Sequence, residues 1–199
     1  IISSRTPGVA RVRATAGSAF GEDTIVFTQS GAGIVVVTAD PGQIPADGVS
    51  SSIITARVTD TLGNPISDGV PVMFVQVVDT AAGEDTLGIL VPSVAYTADG
   101  YATVEFQAGT QKGVATIRAC VDSLHCGETT VELLAGTADS INLVLGDTAL
   151  PADGNSITTA TAYVYDRYGN PVEAGRTVNF SITLGEIYPT ASPTNSAGE

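Results

Sequence analysis

The sequence predicts an all-β fold in which β-sandwich units repeat in tandem, and three observations carry that prediction. Helical periodicity is nearly absent. Short runs rich in Val, Ile and Thr alternate apolar with polar residues. Long phrases return at one fixed interval. Gly, Pro or an Asx-Gly pair also interrupts the chain about every ten residues, too often for helices and well suited to short strands joined by turns.

The alternation is clearest in two runs. In SIITARVTD, Ile54, Ala56 and Val58 share one parity, while Thr55, Arg57 and Thr59 take the other. In GVATIRA, Ala115, Ile117 and Ala119 alternate with Val114, Thr116 and Arg118. A period of two means strands with one face in a core and one in solvent. Short strands at regular spacing with turns between them indicate a sandwich.

The turns repeat as whole phrases. DTLGNPISDGVPVMF at 60–74 returns as DRYGNPVEAGRTVNF at 166–180, and IPADG at 44–48 returns as LPADG at 150–154. Pro45 and Pro151 stand 106 positions apart, as do Asn64 and Asn170. That period is too long for a solenoid unit and right for a sandwich domain. In GNP, Gly63 and Asn64 tolerate a positive φ and Pro65 fixes the exit. Asp60, just ahead, is placed to accept hydrogen bonds from the turn's N–H groups. Asp47–Gly48 is a turn signal before the next strand. Asp166, Gly169, Asn170 and Pro171, with Asp153 and Gly154, are the second set. Turn formation explains these residues before any ligand does, and both motifs sit at strand ends, which face the neighbouring unit in a tandem array.

A partial copy stands at the front. GVARVRAT at 8–15 reads like GVATIRAC at 113–120, and GEDTIVF at 21–27 like GETTVEL at 127–133. The expected organisation is therefore residues 1–30 as the closing strands of one domain, 31–136 as a complete domain, and 137–199 as the opening strands of another. TADGYA at 97–102 resembles the closing TNSAGE, which puts Glu199 near the position of Tyr101 and Ile1 near that of Phe106. A half sandwich exposes its core face and its sheet edges. The terminal pieces are therefore expected to be completed by adjoining chain or by a neighbouring copy. With no initiator Met and no leader pattern at Ile1, the chain reads as a processed product or a piece of something longer.

Composition narrows the function. The net charge is −13, and Lys112 is the only lysine beside seven arginines. Such a surface repels nucleic-acid phosphates. The longest apolar runs, such as Ile34–Val37 and Ile141–Leu145, are far too short to span a bilayer, so no membrane insertion is expected in this segment.

PADGVSSSIITARVTDTLGNPISDGVPVMF, followed by TADGYATVEF and GVATIRA, resembles the bacterial Ig-like domain of group 1, the tandem unit of invasin- and intimin-type adhesin stalks. The hallmark, ADG before an alternating strand and then D-x-x-GNP, occurs twice. The resemblance implies an immunoglobulin-like sandwich within a rigid rod at the cell surface or outside the cell. It implies no catalysis. The segment has neither the lectin-like tip nor the barrel anchor of those adhesins, so receptor binding is not carried over.

Few residues compete as chemical sites. Cys120 and Cys126 project from one face of two adjoining strands, which allows a cross-hairpin disulfide in an oxidising compartment. His125 beside Cys126 lacks zinc-type spacing. No second histidine and no G-x-S-x-G elbow is present, so an enzyme is not expected. No cofactor is expected beyond one weak candidate, calcium at the domain junctions, held by Asp40, Asp47 and Asp99 or by Asp139 and Asp153. The acids lack the spacing of a calcium loop. Tyr163 and Tyr165 share an outward parity and Tyr168 follows in the turn, which makes them an interface candidate as well as ordinary strand residues. Asn179 lies in the sequon NFS and points outward, a candidate glycosylation site.

The expected function is structural: an array of immunoglobulin-like domains forming a stalk or filament, its partners being neighbouring domains or copies of itself. The alternative is an adhesin module that recognises a receptor or carbohydrate through one loop face. An accessory domain of a secreted enzyme stands third.

Overall fold

The computed structural model of the protein describes residues 1–78 and 86–199. The chain opens with a hairpin, β1 (Gly8–Ala16) and β2 (Ala19–Phe27), paired antiparallel from Gly8 opposite Phe27 to Ala16 opposite Ala19. The central part follows with β3 (Ile34–Asp40), β4 (Gln43–Pro45), β5 (Ser51–Thr59), β6 (Pro71–Val77) and β7 (Gly88–Val91). It continues with β8 (Val94–Tyr96), β9 (Tyr101–Ala108), β10 (Gly113–Cys120) and β11 (Cys126–Leu134). The C-terminal part carries β12 (Ser140–Leu145), β13 (Ala160–Tyr165), β14 (Thr177–Asn179) and β15 (Ala191–Pro193). Among the described residues no helix is long and apolar enough to cross a membrane.

The central strands form two facing sheets, one of five strands in the order β4-β11-β10-β6-β8 and one of four in the order β3-β5-β9-β7. All neighbours are antiparallel except β4 and β11, which run parallel. The period of two decides which side chains meet between the sheets. Ile54, Ala56 and Val58 of β5 and Ala115, Ile117 and Ala119 of β10 belong to one core, and all six are fully buried. Phe74 and Phe106 are the largest fully buried side chains of the same core. Truncating either phenylalanine to alanine is worth about 3–5 kcal/mol by the usual transfer and cavity costs.

The sheets approach most closely where β11 passes β3. A Cβ at Gly127 would collide with the carbonyl oxygen of Val35. Thr59 departs from the alternation. Its parity predicts solvent, but the residue is buried, with Gly33 N–H bonding its carbonyl at 2.8 Å and Pro65 bridging back to it.

The terminal strands keep their pairing while their core-parity residues stay open. Hairpin hydrogen bonds are local, so β1–β2, β12–β13 and β14–β15 pair within themselves. Ile141 and Leu143, in the places that Val35 and Val37 hold in the sandwich, are more than half exposed.

Candidate functional site

Two loops of the same design stand 106 residues apart. In the first, Asp60 Oδ1 accepts the N–H groups of Leu62 and Asn64, both at 2.9 Å, while Oδ2 accepts Asn64 Nδ2 at 2.9 Å. In the second, Asp166 Oδ1 accepts the N–H groups of Tyr168 at 2.8 Å and Asn170 at 2.9 Å, and Oδ2 accepts Asn170 Nδ2 at 2.9 Å. Each loop closes on its own backbone, Asp60 N–H to Asn64 O and Asp166 N–H to Asn170 O. The reversal needs a left-handed residue at its tip, supplied by Gly63 at φ 87° and Gly169 at φ 82°. Pro65 and Pro171 then bridge back to Thr59 and Tyr165.

Both aspartates are buried and ionised. The Asn64 side chain, opposed by desolvation and aided by the loop N–H groups, holds Asp60 below the ordinary value of 3.8. At Asp166 burial pushes upward most strongly, yet the bonds from Asn170, Gly136 and Tyr168 outweigh it and the value is again lowered.

The loops also reach across to the preceding stretch of chain, forming a front and a rear joint. At the front joint, Asn64 Nδ2 donates to Arg5 O at 2.8 Å and Ser30 Oγ donates to Asp60 Oδ2 at 3.0 Å. Ser67 Oγ adds a bond to Gln29 Oε1 at 2.7 Å. At the rear joint, Asn170 Nδ2 donates to Thr110 O at 2.8 Å, its Oδ1 accepts Lys112 N–H at 2.9 Å, and Gly136 N–H donates to Asp166 Oδ2 at 2.9 Å. Lys112 Nζ donates to Pro171 O at 2.8 Å and lies 3.8 Å from Glu173, which accepts Ala135 N–H. Tyr168 Oη donates to Asp47 O at 2.9 Å.

The asymmetry has a covalent cause. Pro7 stands where Lys112 stands, so the front joint lacks both the N–H that would reach Asn64 Oδ1 and the ammonium group. Leu62 stands where Tyr168 stands. A cleft of about 340 Å³ opens there, lined by Arg5, Pro7, Phe27, Leu62 and Asn64 among others.

The PADG loops are held by their own aspartates. Asp47 Oδ1 accepts Val49 and Ser50 N–H and Oδ2 accepts Ser50 Oγ, with Gly48 at φ 79°. Asp153 treats Asn155 and Ser156 in the same way, with Gly154 at φ 73°. The Ser50 N–H bond is the main cause lowering Asp47, and the Ser156 N–H bond the main cause lowering Asp153. Of the calcium candidates, Asp47 lies before the start of β5, whereas Asp99 sits beside the loop near its end, its N–H bonded to Asp68. These two do not converge. Among the described residues no three His, Cys, Asp or Glu side chains gather as a metal site.

Cys120 and Cys126 form a disulfide, S–S 2.01 Å, across the tip of the β10–β11 hairpin. His125 Nδ1 lies 2.8 Å from Asp122 Oδ2, and the His125 side chain is the main cause drawing Asp122 down to about 2. The front hairpin replaces the bridge with Thr15 opposite Phe20, and Arg13 lies 4.2 Å over the Phe20 ring. Of the three tyrosines only Tyr168 reaches a joint. Tyr163 and Tyr165 are half-buried on β13, opposite Asn142 and Ser140. Asn179 is exposed on β14, opposite Ala191. Lys112, Glu173, Ser30 and Gly136 carry no site signal in the sequence, save that a solitary lysine in a loop ahead of a strand could have pointed to the first of them.

Residues 33–136 match the family described as Invasin, domain 3. No curated protein matches the chain. Among solved structures the chain is similar to InvD of Yersinia pseudotuberculosis, 25% identical over 72% of this chain and 41% of that one, with a TM-score of 0.56. It is also similar to FdeC, an Escherichia coli adhesin, at 17% identity over 96% of this chain and 66% of that one, TM-score 0.51; this likeness concerns the fold alone. The D0–D1 domains of intimin are 24% identical over 81% of this chain and 79% of that one, TM-score 0.42. The chain thus spans less than half of the InvD structure. The fold is all-β and immunoglobulin-like.

Proposed function

The chain belongs to the Invasin domain 3 family, and from that premise we propose that it is a length of cell-surface, adhesin-type stalk. In this reading immunoglobulin-like domains stack end to end, divided at 1–30, 31–136 and 137–199, and the end pieces are completed by adjoining chain or by a neighbouring copy. The observation that carries it is the Asp–Asn loop, which occurs twice at one spacing and each time hydrogen-bonds across to the preceding stretch of chain. A rod needs joints that resist bending, and a side-chain amide hydrogen-bonded across the boundary supplies one, through Nδ2 at Asn64 and through both Nδ2 and Oδ1 at Asn170. Both cysteines are in the disulfide, so neither offers a thiol nucleophile.

Negative-stain electron microscopy tests this. Thin linear particles with a domain-sized repeat are expected from the natural polypeptide, and compact globular particles would remove the reading.

A further inference from the structure

We propose that the outer face of the four-stranded sheet is an interface for a second copy of this chain, lying antiparallel to the first across a two-fold axis. This sideways contact goes beyond the stalk reading and uses only strands of the complete central sandwich.

The sheet registers lay the outward residues of this face in rows across the strands. Val36, Arg57 and Tyr101 stand side by side near the front joint. The next outward row is Thr38, Thr55 and Thr103. Beyond it come Asp40, Ile53, Glu105 and Val91. The residues between them, such as Ala56 and Val104, are buried, whereas Val36, Ile53, Val91 and Tyr101 are each about half exposed.

The charges of this face stand in separate rows and are unmatched. Arg57 has Val36 and Tyr101 beside it and makes no ion pair among the described residues. The same holds for Asp40 and Glu105. The Arg57 row and the row of acids lie about 13 Å apart by the rise of a strand. That exceeds the screening length of about 8 Å in physiological salt, so the two signs do not meet within one copy.

A two-fold axis that crosses the strands along the threonine row brings them together. It reverses every strand and lays each over its own counterpart, the stacked sheets about 10 Å apart. Arg57 then stands over Ile53 of the second copy, between Asp40 and Glu105 of that copy, and symmetry repeats the contact at the other end. The competing axis, running along β5, would set Arg57 against Arg57, and like charges exclude it.

The fold does not demand this pattern. In the next repeat the core parity persists, with Ala162 and Val164 where the sandwich has Ala56 and Val58. The outward places of Val36, Asp40, Ile53 and Arg57 hold Asn142, Gly146, Thr159 and Tyr163 instead. Charge and apolar surface on this face are therefore particular to the central sandwich.

The direction of the pairing has a consequence. β5 runs from the rear joint, where Tyr168 bonds Asp47, to the front joint, where Gly33 bonds Thr59. Reversing β5 reverses the stalk, so the contact joins stalks that point in opposite directions, as from two facing cell surfaces. The face is roughly 20 Å on a side by strand spacings, less than the ~800 Å² per partner of a standard interface. One pair is accordingly weak, and many stalks meeting together hold by avidity.

The test uses the 199-residue chain. Thr55→Cys lies on the axis and should oxidise to a reducible dimer, whereas Val114→Cys, exposed on the other sheet, should not. Adding Arg57→Glu to Thr55→Cys should cut the dimer yield at least about tenfold, because acids then oppose acids at both ends. Asp40→Arg with Glu105→Arg should do the same by opposing arginines. Mixing these two charge-reversed chains, both carrying Thr55→Cys, should restore a dimer that mass spectrometry finds to be mixed. Melting of each variant should stay unchanged, since every substitution is on the outer face. A Thr55→Cys chain that dimerises no more than Val114→Cys overturns the proposal, the face then belonging to another partner or to solvent. Dimers indifferent to charge reversal, or not restored by mixing, overturn it as well. Linear particles in micrographs would uphold the stalk reading in either case.

Discussion

The front and rear joints are built from the same loop and differ in what the preceding chain offers it. Asp60 and Asn64 meet a backbone that presents one carbonyl, a serine hydroxyl and a proline. Asp166 and Asn170 meet a carbonyl, two N–H groups and the ammonium group of Lys112. The loop is thus a common plug, and the socket decides how firmly it seats. One socket residue, Pro7 or Lys112, accounts for most of the difference, because proline removes a backbone donor as well as the long side chain.

The sharpest way to break the comparison is to remove the amides. Asn170→Ala leaves Thr110 O, Lys112 N–H and the Asp166 carboxylate short of partners, an expected loss of about 2–3 kcal/mol by the cost of unsatisfied buried groups. Asn64→Ala should lose only about 1 kcal/mol on the same basis, because its Oδ1 has no bond to give up. Thermal unfolding followed by calorimetry should rank them in that order, and equal losses would mean that the sockets do not differ.

A gain is expected in the other direction. Pro7→Lys restores an N–H opposite Asn64 Oδ1 and should add about 0.5–1.5 kcal/mol, the net worth of one hydrogen bond. Amide hydrogen exchange at Asn64 and Leu62 should slow; unchanged rates would show that the front cleft does not close.

Acid should treat the joints alike, because both depend on an ionised aspartate. The folded values of Asp60 and Asp166 are lowered from 3.8, so their contribution is present above that pH and is lost as pH falls below it through the folded values. Asp47 and Asp153 act in the same sense. A joint-sensitive probe, such as proteolysis near 31–33 and 136–138, should show both sites opening together below about pH 4. Opening of one alone would contradict the shared loop design.

The smallest effect expected is none. The carboxylates of Asp47, Asp60, Asp153 and Asp166 are already occupied by N–H and hydroxyl donors. Melting with and without a chelator should therefore coincide, and a lowered transition would revive calcium as a joint ligand.

Much of the fold was legible because alternation is local. Ile54, Ala56 and Val58, or Ala115, Ile117 and Ala119, announce a core face within a few residues, and burial follows parity in the complete sandwich. Parity failed where a distant segment intervened. Thr59 is buried where Gly33 and Pro65 close on it, and the counterparts of core residues in the end strands, such as Ile141 and Leu143, are exposed. The Asp–Asn loops were legible as turns, since their glycines and prolines act on neighbouring φ and ψ. Their second task was not, because Arg5, Thr110 and Lys112 lie about sixty residues away from the asparagines they meet.

By itself the sequence determined the strands, the turns, the repeat of 106 and the disulfide-ready hairpin, all of which depend on residues near in the chain or on letters that recur. Only the tertiary structure decided that the asparagines are clamps, that Pro7 and Lys112 make one joint looser than the other, and that Gly127 lies against the carbonyl of Val35. Those facts are distances between remote atoms, and a one-dimensional pattern carries no distance between segments until the sheets have packed.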